Sequence, residues 1–362
     1  MIVLDTHADC WSYVNEGNQN LVIRYEGNDT LFNRDGEVRE LDEQTIVFKQ
    51  QFIETVMRSL LGNDYIATIV PVKTSRSFLE QIAHRVEPYR PTKRLDTHIA
   101  LNSPFSFLMD DLMISNPSTL VFELKPKWGF KPRWGHLKKQ TYCRYCMHAH
   151  LRQQATYGYC PLDLYSEDPI RVERALEILF ERPIEKTLKA TSQGRPVSLS
   201  GLYLENVKLP SLLAAILQQD PILSRLKQLQ SQLDSLDVEA IWPLFKDNRP
   251  SHSNDIQLWR HVIERFLNRL PCSDEERAMQ RIYEYVLSMT FKDCSLMISI
   301  SPFADAGQKQ IKIDDRVFYY RITVIDIDLK DVNKIPYWYQ LDKTIVQYAI
   351  DTNYQKPTAC HA

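Results

Sequence analysis

Two runs rich in β-branched and aromatic residues, late in the chain, constrain its fold more than any other feature. The first covers residues 294–300 (CSLMISI), the second covers residues 317–329 (VFYYRITVIDIDL), and a turn signal, DAG, lies between them at residues 305–307. This pattern predicts two strands joined as an antiparallel hairpin. The start of the first strand then lies beside the end of the second, so we expect Asp293 and Asp326 to meet at one end of a sheet.

Two acids brought together in this way, near basic residues, resemble a phosphoryl-transfer site. One carboxylate can accept the proton of the attacking hydroxyl, while the other holds Mg2+ against the phosphates of ATP. The alternative is structural: Asp293 caps the end of a helix, and Asp326 and Asp328 lie on a solvated strand edge. The spacing alone leaves both interpretations open.

Residues 121–152 concentrate positive charge in a chain whose net charge is −2. Eight basic residues stand against one acid, Glu123, which gives +7 here and leaves −9 on the remaining chain. The eight are Lys125, Lys127, Lys131, Arg133, Lys138, Lys139, Arg144 and Arg152. A basic segment within an acidic protein favours a local anion site over a general nucleic-acid surface.

The tripeptide Lys125-Pro126-Lys127 follows a predicted strand at residues 119–124. Side chains two residues apart on an extended chain point the same way, and the proline keeps Lys125 extended. Both ammonium groups can therefore face one anion. A solvated basic strand end is the alternative.

The seven cysteines are scattered and odd in number, which is typical of a reducing compartment. Cys143 and Cys146, followed by His148 and His150, suggest a zinc ligand set, but the His-x-His spacing and the missing second knuckle count against it. We expect the cysteines to pack in the core and one histidine to contact phosphate. No run of residues is long and apolar enough for a membrane helix, and Asp5 interrupts the apolar N-terminus, so we also expect no secretory signal.

Glycine is scarce, at 10 of 362 residues, which leaves little material for a Rossmann or Walker loop. Residues 16–20 (EGNQN) form either a short nucleotide-covering turn or an ordinary hairpin turn. The patterns predict strands at residues 21–25 and 30–32 and helical spacing over residues 45–61. The second half is more helical, with predicted helix starts at Asp168-Pro169, Pro210, Pro221, residues 236–239 and the capping box at Ser273.

Together these segments resemble the inositol-pentakisphosphate 2-kinase family. WSYVNEGNQNLVI resembles its glycine loop and first hairpin, and ELKPKWGF resembles its EIKPK-x-GF motif. CRYCMHAHL and YCPLDLYS are similar to a paired block that follows, and TFKDCSLMIS, VIDIDLK and YWYQLDKTI are similar to its C-terminal motifs. The P-x-x-x-D-x-K-x-G signature of other inositol polyphosphate kinases is absent.

The resemblance implies an α+β, two-lobed, protein-kinase-like fold. An antiparallel-sheet N-lobe would cover residues 1–108, and a larger, more helical C-lobe would cover residues 109–362. ATP would lie between the lobes and inositol 1,3,4,5,6-pentakisphosphate on the C-lobe. The 2-hydroxyl would attack the γ-phosphate and give inositol hexakisphosphate (phytate).

The resemblance also assigns roles to individual residues. Asp293 would be the base and a further candidate Mg2+ ligand, Asp326 the Mg2+ ligand, and Lys125 a bridge between substrate and transferring phosphate. The implied nucleotide-binding residues are Glu16, Gly17, Asn18, Asn20, Arg34, Met109, Asp110 and Asp326, with Met109 and Asp110 at the hinge. The implied substrate-binding residues are Arg94, Lys125, Lys127, His148, Arg152, Lys189, Lys330, Lys334 and Trp338.

Several positions depart from the family pattern. Asn15 replaces the first loop glycine, and Glu185, Lys186 and Lys189 stand where an asparagine pair is expected. The plant members' Cys/His zinc site has no counterpart in residues 246–272, so we expect no zinc.

Two other functions are open at this stage: a non-catalytic inositol-phosphate sensor and a nucleic-acid-binding module. We expect ATP and Mg2+ as cosubstrate and cofactor, inositol pentakisphosphate as the partner, and no nucleic acid or membrane. We also expect a monomer in the cytoplasm, the nucleus or both.

Overall fold

The computed structural model describes residues 2–4, 7–16, 21–27, 34–38, 43–113, 118–184, 186–271, 273–356 and 360–361. Helices combine with mostly antiparallel sheets, which confirms the α+β class. Two compact units are formed, the first from Met1–Val56, Ile66–Leu112 and Asn254–Ile256, and the second from Met57–Tyr65, Met113–Ser253 and Gln257–Ala362. The boundary predicted after residue 108 falls inside a strand, Phe105–Asp110. In the described part of the chain, every helix is too short or too polar to cross a membrane.

Six strands form the sheet of the first unit, in the spatial order β1-β5-β6-β4-β3-β2. They are β1 (Ile2–Leu4), β2 (Trp11–Glu16), β3 (Leu21–Tyr25), β4 (Arg34–Val38), β5 (Ile69–Thr74) and β6 (Phe105–Asp110). Neighbours are antiparallel except β1 and β5, which are parallel. The strand predicted at residues 21–25 is confirmed as β3, whereas the one at residues 30–32 lies outside the described residues.

Helical spacing over residues 45–61 is confirmed by α1 (Glu43–Gln51), a π-helical turn (Phe52–Met57) and α2 (Arg58–Leu61). Helix α3 (Arg76–Val86) begins at Ser75, whose hydroxyl accepts a hydrogen bond from the Phe78 N–H at 3.1 Å. Its apolar face covers the sheet, and the core there contains Trp11, Ile23, Val72, Leu79 and Ile82.

The second unit contains a six-stranded antiparallel sheet in the order β13-β14-β12-β7-β8-β9. Its strands are β7 (Leu120–Leu124), β8 (Leu188–Ser192), β9 (Arg195–Val197), β12 (Ser295–Ser301), β13 (Lys309–Ile313) and β14 (Arg316–Ile325), while β10 (Tyr203–Leu204) and β11 (Val207–Lys208) pair separately. Strands β12 and β14 are antiparallel neighbours, as predicted. The joining segment is not only a turn, because it contains β13, which pairs with the outer side of β14.

Besides α2, which lies in its Met57–Tyr65 segment, the second unit contains ten helices among the described residues. They are α4 (Leu137–Thr141), α5 (Arg144–Leu151), α6 (Pro161–Leu164), α7 (Pro169–Glu181), α8 (Leu209–Gln219), α9 (Ile222–Leu233), α10 (Asp237–Asn248), α11 (Ile256–Asn268), α12 (Asp274–Phe291) and α13 (Ile335–Asp351). The predicted starts are confirmed: Asp168 accepts a hydrogen bond from the Ile170 N–H at 3.0 Å, and Ser273 and Glu276 form a capping box. Helix α11 was not predicted.

Candidate active site

The register of the second-unit sheet brings three distant segments to one edge. Strand β7 ends at Leu124, opposite Leu296 of β12, and β14 ends at Ile325, opposite Ser295. Because these neighbours are antiparallel, the residue after β7, the residues before β12 and the residue after β14 share this edge. The predicted pairing of the two strands that carry Asp293 and Asp326 is confirmed.

Lys125 joins all three strands at this edge. Its Nζ donates to Asp326 Oδ2 at 2.7 Å and to Ser295 Oγ at 2.6 Å, and Ser295 Oγ donates to the same carboxylate oxygen at 2.9 Å. Burial disfavours the charged forms, but the ion pair and its hydrogen bonds outweigh burial. The pKa of Lys125 is therefore raised and the pKa of Asp326 is lowered. Both groups are charged at neutral pH.

Asp326 has φ +60°, a left-handed conformation that turns the chain sharply away from β14. Its side chain remains 51% exposed despite the bond to Lys125. A carboxylate that is anchored on one side and open on the other has the donor atoms that Mg2+ prefers.

Asp293 lies between the end of α12 and the start of β12. Its N–H donates to the Thr290 carbonyl at 3.1 Å, and its Oδ2 accepts a hydrogen bond from Lys330 Nζ at 2.8 Å. The carboxylate is 62% exposed, so it can reach a bound hydroxyl. Each of the two predicted acids thus has its own lysine partner at this edge.

The chain after Lys125 is held by a buried amide. Gln230 of α9, 0% exposed, accepts a hydrogen bond from the Gly129 N–H at 2.7 Å and donates to the carbonyls of Lys127 at 3.0 Å and Phe291 at 2.9 Å. A Cβ on Gly129 would come within 2.7 Å of the Tyr165 ring. One side chain therefore fixes both the loop after β7 and the end of α12 that leads to Asp293.

Lys127 has φ +60°, and its carbonyl also accepts a hydrogen bond from Tyr165 Oη at 3.0 Å. Burial, followed by repulsion from Lys125, lowers the pKa of the Lys127 ammonium. A bound anion would relieve that repulsion.

A second buried contact ties the same loop to the residue before Asp293. Lys292 is buried, forms an ion pair with Asp234 at 2.5 Å and lies 4.1 Å from the centre of the Trp128 ring. Lys292 therefore stabilises the loop after β7 and the residue before Asp293 from the protein interior, and it is not itself available to a ligand.

Glu123 lies on the same sheet face as Lys125. Its Oε1 is 4.0 Å from Lys125 Nζ, and its Oε2 accepts a hydrogen bond from Lys189 at 3.1 Å, across the β7–β8 pair. Glu123 consequently links Lys189 to Lys125 at the sheet edge. Residue 185, named in the same departure from the family pattern, lies outside the described residues.

Helix α5 carries the predicted His148, and the predicted Arg152 directly follows its last residue. Burial, followed by the charges of Arg152 and Arg144, lowers the pKa of His148 to about 4, so its imidazole is neutral at pH 7. Arg152 is exposed at the C-terminal end of the helix. The other histidine of this helix, His150, forms a hydrogen bond with Thr352 at 2.9 Å. Its ring packs beside the ring of Tyr354.

Lys334 is exposed at the start of α13, one helical turn before Trp338. Trp338 is only 8% exposed and packs against the Tyr285 ring, so its indole has little surface left for a ligand.

The remaining predicted residues lie in the first unit. Glu16, at the end of β2, is 8% exposed, and both of its carboxylate oxygens accept hydrogen bonds from Arg90 at 2.6 and 2.9 Å. Arg90 also donates to the carbonyl of Arg94 at 2.9 Å, so Glu16 organises the turn that carries Arg94. Asn15 lies at an irregularity in the β2–β3 pairing.

Strand β6 carries Met109 and Asp110 at its end, and Arg34 pairs with Asp110 through the backbone of β4. Gly17, Asn18 and Asn20 lie outside the described residues.

The cysteine prediction was incomplete. Cys143 and Cys146 are buried, but they converge with Cys160 and Cys360. Sequence reasoning considered only a neighbouring second knuckle, whereas Cys360 lies 200 residues beyond Cys160.

Sequence reasoning also missed Ser295, Gln230 and Gly129. Ser295 had a signal, since it follows Asp293 by two residues and stands first in its strand. Gln230 had none, because a glutamine on an amphipathic helix is typical of an exposed position.

Lysine and carboxylate groups gathered at one sheet edge, with further cations nearby, are the groups that a phosphoryl-transfer enzyme, a kinase, uses. The sequence model of inositol-pentakisphosphate 2-kinase matches residues 13–344. The chain belongs to this family of transferases.

The matches to similar proteins extend along nearly the whole of both chains. The inositol-pentakisphosphate 2-kinase of Danio rerio is 25% identical over 457 residues, covering 96% of this chain and 94% of the relative. That of Cryptococcus neoformans var. neoformans serotype D (strain JEC21 / ATCC MYA-565) is 28% identical over 400 residues, with 96% and 95% covered. That of Arabidopsis thaliana is 24% identical over 449 residues, with 96% and 95% covered.

Proposed function

We propose that this protein transfers the γ-phosphate of ATP to the 2-hydroxyl of inositol 1,3,4,5,6-pentakisphosphate and releases inositol hexakisphosphate and ADP. The observation that carries the proposal is the edge at which Lys125 pairs with Asp326 and Lys330 pairs with Asp293. The family match over residues 13–344 supports it and favours catalysis over a sensor role.

Asp293 is the base in this proposal. Its exposed carboxylate accepts the hydroxyl proton as the oxygen attacks the γ-phosphorus and the bond to the ADP oxygen breaks. Lys330 holds the carboxylate in place by its 2.8 Å bond. Lys125 contributes its positive charge where the transferring phosphate gains negative charge.

Asp326, with Asp293 as a further candidate, would hold Mg2+. The half-exposed carboxylate of Asp326 fits a hard cation that keeps several waters. Bound Mg2+ would neutralise charge between the β- and γ-phosphates of ATP. Lys125 and Ser295 keep this carboxylate oriented through their shared bonds to Oδ2.

The substrate carries five phosphates, each at about −1.5 to −2 near pH 7. In the second unit, Lys127, Arg152, Lys189, Lys330 and Lys334 would supply the compensating charge, and neutral His148 would supply a hydrogen bond. In the first unit, Arg94 is the corresponding candidate. We further propose that the two units are the lobes of a protein-kinase-like fold and that the protein works in the cytoplasm, the nucleus or both.

A kinase assay with ATP, Mg2+ and inositol pentakisphosphate tests the function, with the product resolved by phosphate position. We expect inositol hexakisphosphate to form in proportion to ADP. Tight binding of the pentakisphosphate without turnover would favour the sensor instead. A product phosphorylated elsewhere would overturn the assignment of the 2-hydroxyl.

A further inference from the structure

Four arginines line one cavity of the second unit, which we call the arginine cavity. It has a volume of about 510 Å3 and is formed by residues of α9, α11, the segment after α11 and the first half of α12. Its arginines are Arg265 of α11, Arg269, which directly follows that helix, and Arg277 and Arg281 of α12. A cavity of this size accommodates a small organic ligand.

The spacing of the arginines places like charges side by side. Arg265 and Arg269 are four residues apart in the sequence, and so are Arg277 and Arg281. Residues at this spacing are neighbours on the surface of a helix, and two charges of the same sign there repel each other. Both pairs border the same cavity, so the repulsion acts within pairs and between them. An anion bound in the cavity would relieve it.

The acids at the arginine cavity compensate only part of this charge. Glu284 is 4% exposed and accepts hydrogen bonds from Arg281 Nη1 and Gln280 Nε2, both at 2.9 Å. Arg265 Nη2 donates to Glu276 at 2.9 Å. With both acids counted, the four arginines leave a net charge of +2. Each ion pair uses one nitrogen of its guanidinium, so the acids hold Arg265 and Arg281 in place while other N–H groups remain to bind a ligand.

We propose that the arginine cavity binds a small molecule, free in solution, that carries at least two phosphate groups. The planar guanidinium group matches the oxygens of a phosphate with two parallel hydrogen bonds, which an ammonium group cannot do. Two pairs of arginines suit two phosphates. Phe266, Leu270 and Pro271 also line the cavity and offer apolar surface to the carbon atoms of an organic phosphate.

The arginine cavity is separate from the sheet edge at which we place the reaction. Helix α12 begins beside the cavity and ends at Phe291, two residues before Asp293. At a rise of about 1.5 Å per residue, Arg277 lies about 21 Å and Arg281 about 15 Å from that end of the helix. A ligand in the arginine cavity is therefore not the molecule that is phosphorylated, and this inference does not depend on the proposed kinase activity.

Calorimetric titration of the full chain with pyrophosphate, without Mg2+, tests the proposal. Pyrophosphate can also bind at the sheet edge, so variants are needed to separate the two sites. Arg269→Gln should lower the number of pyrophosphate ions bound per chain by one, whereas Lys127→Ala should keep the ion that Arg269→Gln loses. Arg269→Lys keeps the charge but not the paired N–H donors, and it should bind that ion about tenfold more weakly than wild type.

The matched control is Arg260→Gln, which removes the same charge from an exposed position of α11. Arg260 precedes Arg269 by nine residues and therefore lies on the opposite side of the helix, so its loss should leave the titration unchanged. Arg269 is itself exposed, and urea unfolding would verify that its variants fold as wild type does. Identical titrations of wild type and Arg269→Gln would overturn the proposal and reduce the arginines to structural ion pairs.

Vesicles separate a soluble ligand from a lipid headgroup with the same phosphates. The probe is phosphatidylcholine vesicles with and without phosphatidylinositol 4,5-bisphosphate, measured by co-flotation. We expect Arg269→Gln and wild type to float to the same extent. Flotation that required both the phosphorylated lipid and Arg269 would assign the cavity to a membrane headgroup and overturn the proposal of a soluble ligand.

Discussion

At the scale of single residues, the two aspartates at the sheet edge differ in how they are held, and this difference supports the roles that we propose for them. The Asp326 carboxylate is fixed by Lys125 and Ser295, whereas the Asp293 carboxylate is bonded by Lys330 and is the more exposed of the two. A metal ligand benefits from a fixed position, and a base benefits from access to the hydroxyl. In the structural alternative, in which both acids are only caps or solvated edges, these lysine contacts would be ordinary surface ion pairs.

Asp293→Asn should lower kcat by about 10²–10⁴-fold, because an amide cannot accept the hydroxyl proton. Binding of inositol pentakisphosphate, measured by calorimetry, should change little. Asp315→Asn is the matched control, since Asp315 is an exposed carboxylate in the turn between β13 and β14. A variant that retained more than about a tenth of wild-type kcat would exclude Asp293 as the base.

Asp326→Ala should remove most of the Mg2+ dependence of nucleotide binding together with activity. The reason is that Asp326 offers a half-exposed carboxylate beside the cations at the edge. A Mg2+ titration of ATP binding measures the effect. An unchanged titration would point to Asp328 as the ligand.

His148 should make stability depend on acid pH. Its folded-state pKa is about 4, below the unfolded value of about 6.5, so the unfolded chain binds more protons between these values. The free energy of unfolding therefore keeps its full value above about pH 6.5 and decreases as the pH falls towards 4. We expect a decrease of about 1 to 2 kcal/mol after allowing for partial exposure of His148.

Urea unfolding at several pH values would measure this loss, and His148→Gln should show a smaller one. The control is His261→Gln, which changes an exposed histidine of α11. Equal losses in wild type and His148→Gln would contradict the assignment.

At the scale of elements, α9 positions the loop after β7. Gln230→Leu keeps the side-chain size but removes the hydrogen bonds that Gln230 makes to the Gly129 N–H and the Phe291 carbonyl, while the Lys127 carbonyl keeps its bond from Tyr165 Oη. Each such buried group costs about 1–3 kcal/mol, so we expect a loss of about 2–5 kcal/mol in the free energy of unfolding.

Because Gln230 touches no reacting atom, its effect on kcat should come through the position of Lys125 and Asp293. The control Gln228→Leu lies on the exposed side of the same helix. We expect Gln230→Leu to lower kcat more than it raises KM. Unchanged kinetics in a folded Gln230→Leu protein would show that the loop does not need this support.

The sequence predicted the elements whose information is local. Strand β3, helix α7 and the capping box at Ser273 follow from alternation, proline placement and cap residues, and the β12–β14 pairing follows from the two long runs. What the sequence did not predict depends on partners far away in the chain. The Glu16–Arg90 pair, Gln230 and the cysteine cluster each need tertiary structure before their neighbours are known.

At the scale of the whole molecule, charge is distributed unevenly. The net charge is −2, yet residues 121–152 carry +7. A substrate of about −7 to −10 charges would be attracted by that segment and repelled by the rest of the chain.

Raising the ionic strength from about 0.05 to 0.3 M should therefore raise KM for inositol pentakisphosphate by roughly tenfold, because the Debye length shortens to a few ångströms. The kcat at saturating substrate should change little. Steady-state kinetics in a salt series would measure both, and the same series on RNA affinity would test the nucleic-acid alternative. Micromolar RNA binding at about 0.15 M salt would support that alternative and weaken the case for a local anion site.

Lys125 and Asp326, which pair at this sheet edge, are separated by 201 residues, and β7 lies between β8 and β12 in the sheet. During synthesis, β7 and β8 leave the ribosome long before β12 exists. At a synthesis rate of about 5–20 residues per second, Asp326 is made about 10 to 40 s after Lys125. Throughout that time the nascent chain presents one unpaired edge of β7, a strand rich in apolar residues, which is the kind of surface that chaperones cover.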